Sequence, residues 1–291
     1  MLLVILIAVW PSARLFAVWS LGRANGCSCG DAIRSHDYLV RYNDTAERIG
    51  GASHVIQRDP QGLDLVETPL GRYWTVKNDR FLRVMLAEEA TDIYGEREEG
   101  ARQGDVVLDC GANIGVFTRK ALAAGARLVV AIEPTPLTLV ALRRNFEREI
   151  AEGRVIVVPK GVWNRVDTLE LATGGEGNSV GNSLVLGQNL PNKIKVPLTT
   201  IDLLATELHL DRVDFIKMDI EGAEKQALTG ATEVIRRFRP RMAIASEHLP
   251  DDFTAIPQTV KAIWPGYQVT PSSCKDHLST VEPEVLLFEK R

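Results

Sequence analysis

Over the second half of the chain, short apolar runs alternate with longer stretches of helical periodicity. VVLDC ends at Cys110 and is followed by a predicted helix near 115–124. RLVVAIE at 127–133 precedes a helix over 136–150, and RVIVVP follows at 154–159. VDFIKMD at 213–219 leads into a helix over 223–237, and RMAIASE at 241–247 into one near 254–263. EVLLFEK at 284–290 is the final run. Continuous apolar runs suit strands buried on both faces. Their alternation with helices predicts an α/β fold, a doubly wound and mostly parallel sheet. The rhythm breaks over 161–200, where strand-like DTLELA and KIKVPLTT flank the Gly- and Asn-rich TGGEGNSVGNS. That pattern predicts a hairpin-like excursion with a flexible tip. Upstream, GLDLVETPLGRYWTV predicts short strands around a Pro-Leu-Gly turn, and RFLRVMLAEEATDIYG predicts a helix.

These elements divide the chain into an apolar signal- or anchor-like segment (1–22), a linker (23–35), a small N-terminal accessory cap (36–103) and a catalytic domain (104–291). The first ten residues carry no charge, but Pro11, Ser12 and Arg14 interrupt them before LFAVWSLG. A spanning helix needs about 20 apolar residues, a length reached only if Arg14 is tolerated. A cleaved signal would carry a positive start and a small-residue cleavage site, and neither is evident. Three readings stay open: a signal peptide or signal-anchor, another targeting segment, or an amphipathic helix. The first would give membrane association or the secretory pathway; the last leaves a cytoplasmic protein.

Composition adds exclusions. Hydrophobic residues make up 45% of the 291 and charged residues 25%, ordinary for a globular chain. A net charge of −4 gives no bulk attraction to nucleic acid, which is not expected as a partner. The arginines at 236, 237, 239 and 241 read as a solvated helix end. Four cysteines do not make a disulfide framework in a chain of this length. Cys27 and Cys29 form a C-x-C pair in the linker, Cys110 reads as a packing residue, and Cys274 is isolated. No second pair stands at zinc spacing.

In doubly wound sheets, ligands bind beyond the carboxyl ends of the strands. Here those ends are acidic: Asp109 before Gly111, Asn113 and Gly115; Glu133 before Pro134; Asp219, Glu221 and Glu224; then Glu247 and His248. A dinucleotide site would carry G-x-G-x-x-G to seat a pyrophosphate. In this chain the middle glycine is Asn113, and a carboxylate precedes the turn. Such a turn repels pyrophosphate but suits S-adenosylmethionine, a cationic nucleoside without phosphate. Glu133 stands where an acid can accept from both ribose hydroxyls.

The residues LDCGANIGVFT (108–118), AIEPTP (131–136), VPLTTID (196–202), VDFIKMDIEGAEKQALTGA (213–231) and RPRMAIASEH (239–248) resemble the FkbM-type class I methyltransferases. The resemblance runs in order over about residues 100–291, and DFIKMDIEGAE is its most specific block. It implies a Rossmann-like, seven-stranded sheet with the last strand antiparallel. It also implies methyl transfer from S-adenosylmethionine, typically to a hydroxyl on a sugar or natural product. Carried over by position, Asp109, Gly111, Ala112, Asn113 and Gly115 would form the cofactor turn. Glu133 would bind the ribose, with Pro134 and Asp219 also in the cofactor set, and Asp219, Glu221 and Gly222 would line the site.

For the transfer itself, a base must take the hydroxyl proton. His248, Asp219 and Glu221 are the catalytic candidates, with Glu247 beside them; only His248 titrates near neutrality unperturbed. Glu224 reads as structural. Lys217 interrupts a buried strand, either as a buried ion pair or as a lysine near the acceptor hydroxyl. A divalent metal on Asp219, Glu221 and His248 is compatible with these donors but not required, so no metal ligand is assigned. The expected partner is a small-molecule or glycan acceptor with a free hydroxyl, with membrane association through residues 1–22; the oligomeric state is left open. The rival readings are an inactive methyltransferase-fold binding module tethered to a membrane and, more weakly, a dinucleotide oxidoreductase.

Overall fold

The computed structural model of the protein describes residues 11–96, 99–174, 177–189 and 192–290. Its centre is a seven-stranded sheet. In chain order the strands are β4 (Val106–Cys110), β5 (Leu128–Ile132), β6 (Val155–Val158), β10 (Phe215–Met218), β11 (Arg241–Ala245), β12 (Tyr267–Asp276) and β13 (Val281–Lys290). They lie side by side as β12-β13-β11-β10-β4-β5-β6. The five central and right-hand strands are parallel, and β13 runs antiparallel to both neighbours. This is the doubly wound sheet that the apolar runs predict. All residues of β4 and β10 are buried, because helices cover both faces.

Those helices are α4 (Val116–Ala123), α5 (Pro136–Asn145), α6 (Glu147–Ala151), α7 (Ile201–Glu207), α8 (Glu224–Thr229), α9 (Thr232–Phe238) and α10 (Asp252–Ile263). Two expected helices are each split. The 136–150 helix breaks at Phe146, whose ring is buried under Gly115. The 223–237 helix breaks at Gly230 and Ala231. A Cβ at Gly230 would stand 2.1 Å from the Trp163 carbonyl oxygen, so only glycine lets the two backbones approach there.

The excursion over 161–200 is a small sheet of its own, with β7 (Gly161–Val162), β8 (Asp167–Ala172) and β9 (Lys193–Thr199) in the order β7-β9-β8. The β8–β9 pair is antiparallel, as a hairpin-like excursion requires. Residues 175, 176, 190 and 191 of its expected flexible tip lie outside the described residues. The described part folds inward instead of projecting: Ser179 and Ser183 are buried, and the Ser179 hydroxyl donates to Asp79 at 2.8 Å.

Upstream stand α1 (Pro11–Ser20), α2 (Cys29–Ala52), an antiparallel sheet of β1 (His54–Asp59), β2 (Leu63–Thr68) and β3 (Gly71–Val76), and α3 (Leu82–Ala90). The linker expected over 23–35 is mostly not one. Ser28 caps α2 through the Asp31 amide, and Asp31 accepts the Ser28 amide in return, so helix begins at Cys29. Two cysteine readings are also corrected: Cys27, read as paired in C-x-C with Cys29, and Cys274, read as isolated, form a disulfide across 247 residues, with Cα atoms 6.5 Å apart. Cys29 remains a free thiol. The bond fastens the start of α2 to β12, where Leu15, Val18, Ala32 and Val281 make a separate apolar cluster. Residues 1–10 lie outside the described residues, so the segment expected over 1–22 is seen only from Pro11. Arg14 pairs there with Asp276. No helix among the described residues is long and apolar enough to cross a membrane.

A disulfide closing so long a loop restricts the unfolded chain and contributes roughly 2–5 kcal/mol. Reduction is therefore expected to lower the urea midpoint of the wild type and to leave that of Cys27→Ser unchanged. Identical wild-type curves with and without reductant would show that the bond is not formed.

Candidate active site

The strand ends of β4, β5, β10 and β11 converge on one cavity of about 200 Å³. The turn after β4 is its floor. Gly111, Asn113 and Gly115 all have positive φ, at 79°, 51° and 92°. Gly111 must be glycine, because a Cβ would stand 1.9 Å from the Asp219 carbonyl oxygen. The turn is thereby pressed against the end of β10. Gly111, Ala112 and Asn113 line the cavity.

Gly115 does not, although it was expected in the cofactor set. Its Cα faces the Phe146 ring and Leu142, and a Cβ would lie 2.1 Å from that ring; it is a packing glycine. Gly222 likewise is not among the lining residues. Asp109, also expected in the cofactor set, is not among the lining residues either. It is fully buried behind the turn, where one carboxylate oxygen accepts from the Thr118 hydroxyl at 2.6 Å. The other faces Lys217 Nζ at 3.7 Å. Burial raises the Asp109 carboxyl above its ordinary value, against the pull of Lys217 and Thr118.

Glu133 and Pro134 line the cavity beyond β5. One Glu133 oxygen accepts from the Asn113 amide at 3.1 Å and the other from the Thr135 amide at 2.8 Å. These two bonds fix the carboxylate against the turn, and the Thr135 side chain adds a further hydrogen bond. The Asn113 side chain donates to the Ser179 carbonyl at 2.7 Å, tying the excursion to the same turn.

Lys217 is a buried ion pair, the first of its two readings. Its ammonium lies 3.7 Å from both Asp109 and Asp219 and donates to the Gly111 carbonyl at 3.0 Å. Burial disfavours its charge, but Asp219 and Asp109 outweigh that and raise its pKa.

Asp219, Glu221 and His248 come together, as the sequence analysis expects. His248 Nε2 is 3.5 Å from Asp219 and 3.6 Å from Glu221, and Nδ1 is 3.0 Å from Glu224. Burial is the largest influence on the ring and lowers its pKa. The Glu224 hydrogen bond and the charges of Asp219, Glu224 and Glu221 together overcome it and raise His248 to about 10. The raised value favours the imidazolium at neutral pH and weighs against His248 as the base. Burial raises Asp219 most strongly, but Lys217, His248 and the Tyr94 hydroxyl, which donates at 2.7 Å, hold it below its ordinary value. Glu221 goes the other way, raised by burial and by Asp219. Its Oε1 accepts from the Gly181 amide at 2.8 Å. Glu247 also lines the cavity, though Lys275 pairs with it at 2.9 Å.

Three lining residues carry no signal in the sequence: Glu88, Glu89 and Tyr94, from α3 and the turn after it. Burial and the surrounding carboxylates raise Glu88 well above its ordinary value. Glu89 rises to about 7, through burial, despite Lys120. An adjacent acid pair in a helix reads as a solvated face until its packing is known.

The family model for the methyltransferase FkbM domain matches residues 109–269. The chain belongs to the FkbM methyltransferase family. Among solved structures it is similar to a methyltransferase FkbM from Methylobacillus flagellatus KT, at 19% identity and a TM-score of 0.50. That match covers 89% of this chain but only 60% of the other. A precorrin-6y C5,15-methyltransferase from Geobacter metallireducens GS-15 is 18% identical, with 74% and 91% covered and a TM-score of 0.37. Fibrillarin from Aeropyrum pernix, in complex with natively bound S-adenosyl-L-methionine, is 13% identical, with 81% and 98% covered and a TM-score of 0.41. No curated protein matches the chain. The family match and the sheet order together give this FkbM protein a class I methyltransferase fold.

The carboxylate cage around His248 has a pH signature. The folded pKa of about 10 exceeds the ordinary 6.5, so between those values the folded state holds a proton that the unfolded state lacks. This contribution to stability is complete below 6.5 and lost as pH rises towards 10. A nuclear magnetic resonance titration is expected to show the His248 ring charged throughout the neutral range, and Asp219→Asn to lower its pKa. A wild-type midpoint near 6.5 would overturn this assignment.

Proposed function

We propose that the protein is an S-adenosylmethionine-dependent O-methyltransferase acting on a hydroxyl of a sugar or natural-product acceptor. The observation that carries this reading is the donor chemistry of the cavity. Glu88, Glu89, Glu133, Asp219, Glu221 and Glu247 line it, against Lys217 and His248. A carboxylate-rich cleft with a glycine turn disfavours a pyrophosphate and fits a ligand bearing a sulfonium, an ammonium and a ribose diol. Glu133 would accept from the diol. Gly111, Ala112 and Asn113 would lie against the nucleoside, and Asp219, held as a carboxylate, stands where a cationic group is favoured. When bound, the methyl donor supplies an electrophilic methyl carbon.

The protein's own groups then position the acceptor and take its proton. The raised pKa of His248 makes it the poorer base. Asp219 is held as a carboxylate by Lys217, Tyr94 and His248, which suits orientation more than proton uptake. Glu221 has the raised pKa that a carboxylate base needs and lines the cavity, so Glu221 Oε2 takes the hydroxyl proton. The acceptor approaches between α3 and residues 179–184, which wall the cavity on either side. Enclosure by these two elements excludes water and fixes the line of approach. The Cys27–Cys274 bond supports the secretory-pathway reading of localisation, since cytosolic thiols are kept reduced.

Calorimetry on the full chain is expected to show saturable binding of S-adenosylmethionine and none of NAD. Glu133→Gln, which keeps the shape of the side chain, should weaken binding by about tenfold, the order of a lost hydrogen bond to a charged group. A folded wild type that binds neither ligand would overturn the reading.

A further inference from the structure

Glu224 has more partners, and one fewer, than a helix-capping acid needs. It is fully buried. Its Oε1 accepts from the Ile220 amide at 2.9 Å and stands 3.0 Å from His248 Nδ1. Its Oε2 is buried with no hydrogen-bond partner. Leaving a carboxylate oxygen so placed costs free energy unless something positive meets it. The nearest groups able to share a cation with it are Asp219 and His248. One ligand atom from each of the three can be chosen so that all lie within 4.8 Å of one another. Atoms bound at about 2.0–2.2 Å to one ion can be at most about 4.4 Å apart, so small rotations of these side chains would close the set.

We propose that Asp219, Glu224 and His248 form a binding site for a divalent first-row transition cation at the acceptor side of the cavity. Two carboxylates and one imidazole suit such an ion better than a thiolate-seeking one, and binding would displace the proton that the His248 ring holds without the ion. Asp219 and His248 line the cavity, whereas Glu224 stands behind them, so the ion would sit at the wall with its remaining positions towards the acceptor. There it would bind the acceptor hydroxyl as a Lewis acid and make its proton easier to remove. In the transfer, the hydroxyl oxygen forms its bond to the methyl carbon as the sulfur–methyl bond breaks. The sulfonium becomes a neutral thioether, and the proton passes to Glu221. The use of the ion rests on the O-methyl-transfer reading; its binding does not.

The test is titration of Mn²⁺ into the chelator-treated full chain, followed by the electron paramagnetic resonance of free Mn²⁺ and by calorimetry. Methyl-donor binding is measured on the same samples. Saturable uptake by the wild type, weakened about tenfold or more in His248→Asn and in Asp219→Asn, would support the site. A wild type that takes up no Mn²⁺ decides against the site even if a variant fails to fold, and the two variants separate this site from uptake elsewhere. No saturable Mn²⁺ uptake by a wild type that binds the methyl donor would overturn the site and leave the proposed function standing. Uptake unchanged in both folded variants would also overturn it, since the ion would lie elsewhere. Uptake lost in the variants, by a protein that never binds the methyl donor, would uphold the site and remove the methyl-transfer reading.

Discussion

A single buried ammonium organises the catalytic end of the sheet. Lys217 extends from β10, where every residue is buried, and could not stay charged there alone. Asp109 from β4 and Asp219 beyond β10 flank it at equal distance, and the Gly111 carbonyl accepts its hydrogen bond. These contacts join the two central strands at their carboxyl ends and set the position of the glycine turn. The turn then positions Glu133 through the Asn113 amide, and Asp219 positions Tyr94 and, through charge, His248. Removing either charge would strand the other in an apolar interior, a loss of about 3–5 kcal/mol. The acids of the cavity are therefore not independent, and a change at one carboxylate alters the protonation of its neighbours.

The central strands were legible because burial on both faces forces continuous apolar runs. β12 was not: Tyr267–Asp276 passes through Pro271, Ser272 and Ser273 at the sheet edge, with irregular pairing to β13. An edge strand needs apolar residues on fewer positions, so its pattern is weak. The glycines show a different limit. Gly111 and Gly115 look alike in sequence, and both adopt positive φ, yet one faces Asp219 across the cavity floor and the other an aromatic ring behind it. Asp109 shows a related limit: an acid at a strand end can face a ligand or a lysine, and its contacts with Lys217 and Thr118 are visible only in the fold.

Meeting points between distant segments were the least legible. Cys27 and Cys274 have no spacing relation, and Tyr94 lies 125 residues from the aspartate it contacts. The carboxylates around His248 were visible as a group, but their effect on the ring depends on burial and distance. The residue that looks like the natural base at neutral pH is, in this cage, the one of the three candidates whose surroundings favour keeping a proton on a charged ring.

The disulfide also bears on the order in which the chain matures. During synthesis the α1–α2 arm emerges early, whereas its covalent partner on β12 lies 247 residues later. The arm's apolar residues, Leu15, Val18 and Ala32, pack against Cys274 and Val281, so that surface cannot form until nearly the whole sheet has left the ribosome. Docking of the arm is therefore a late event in folding. Oxidation then makes it permanent, sealing a completed sheet and leaving an incomplete one without its clasp.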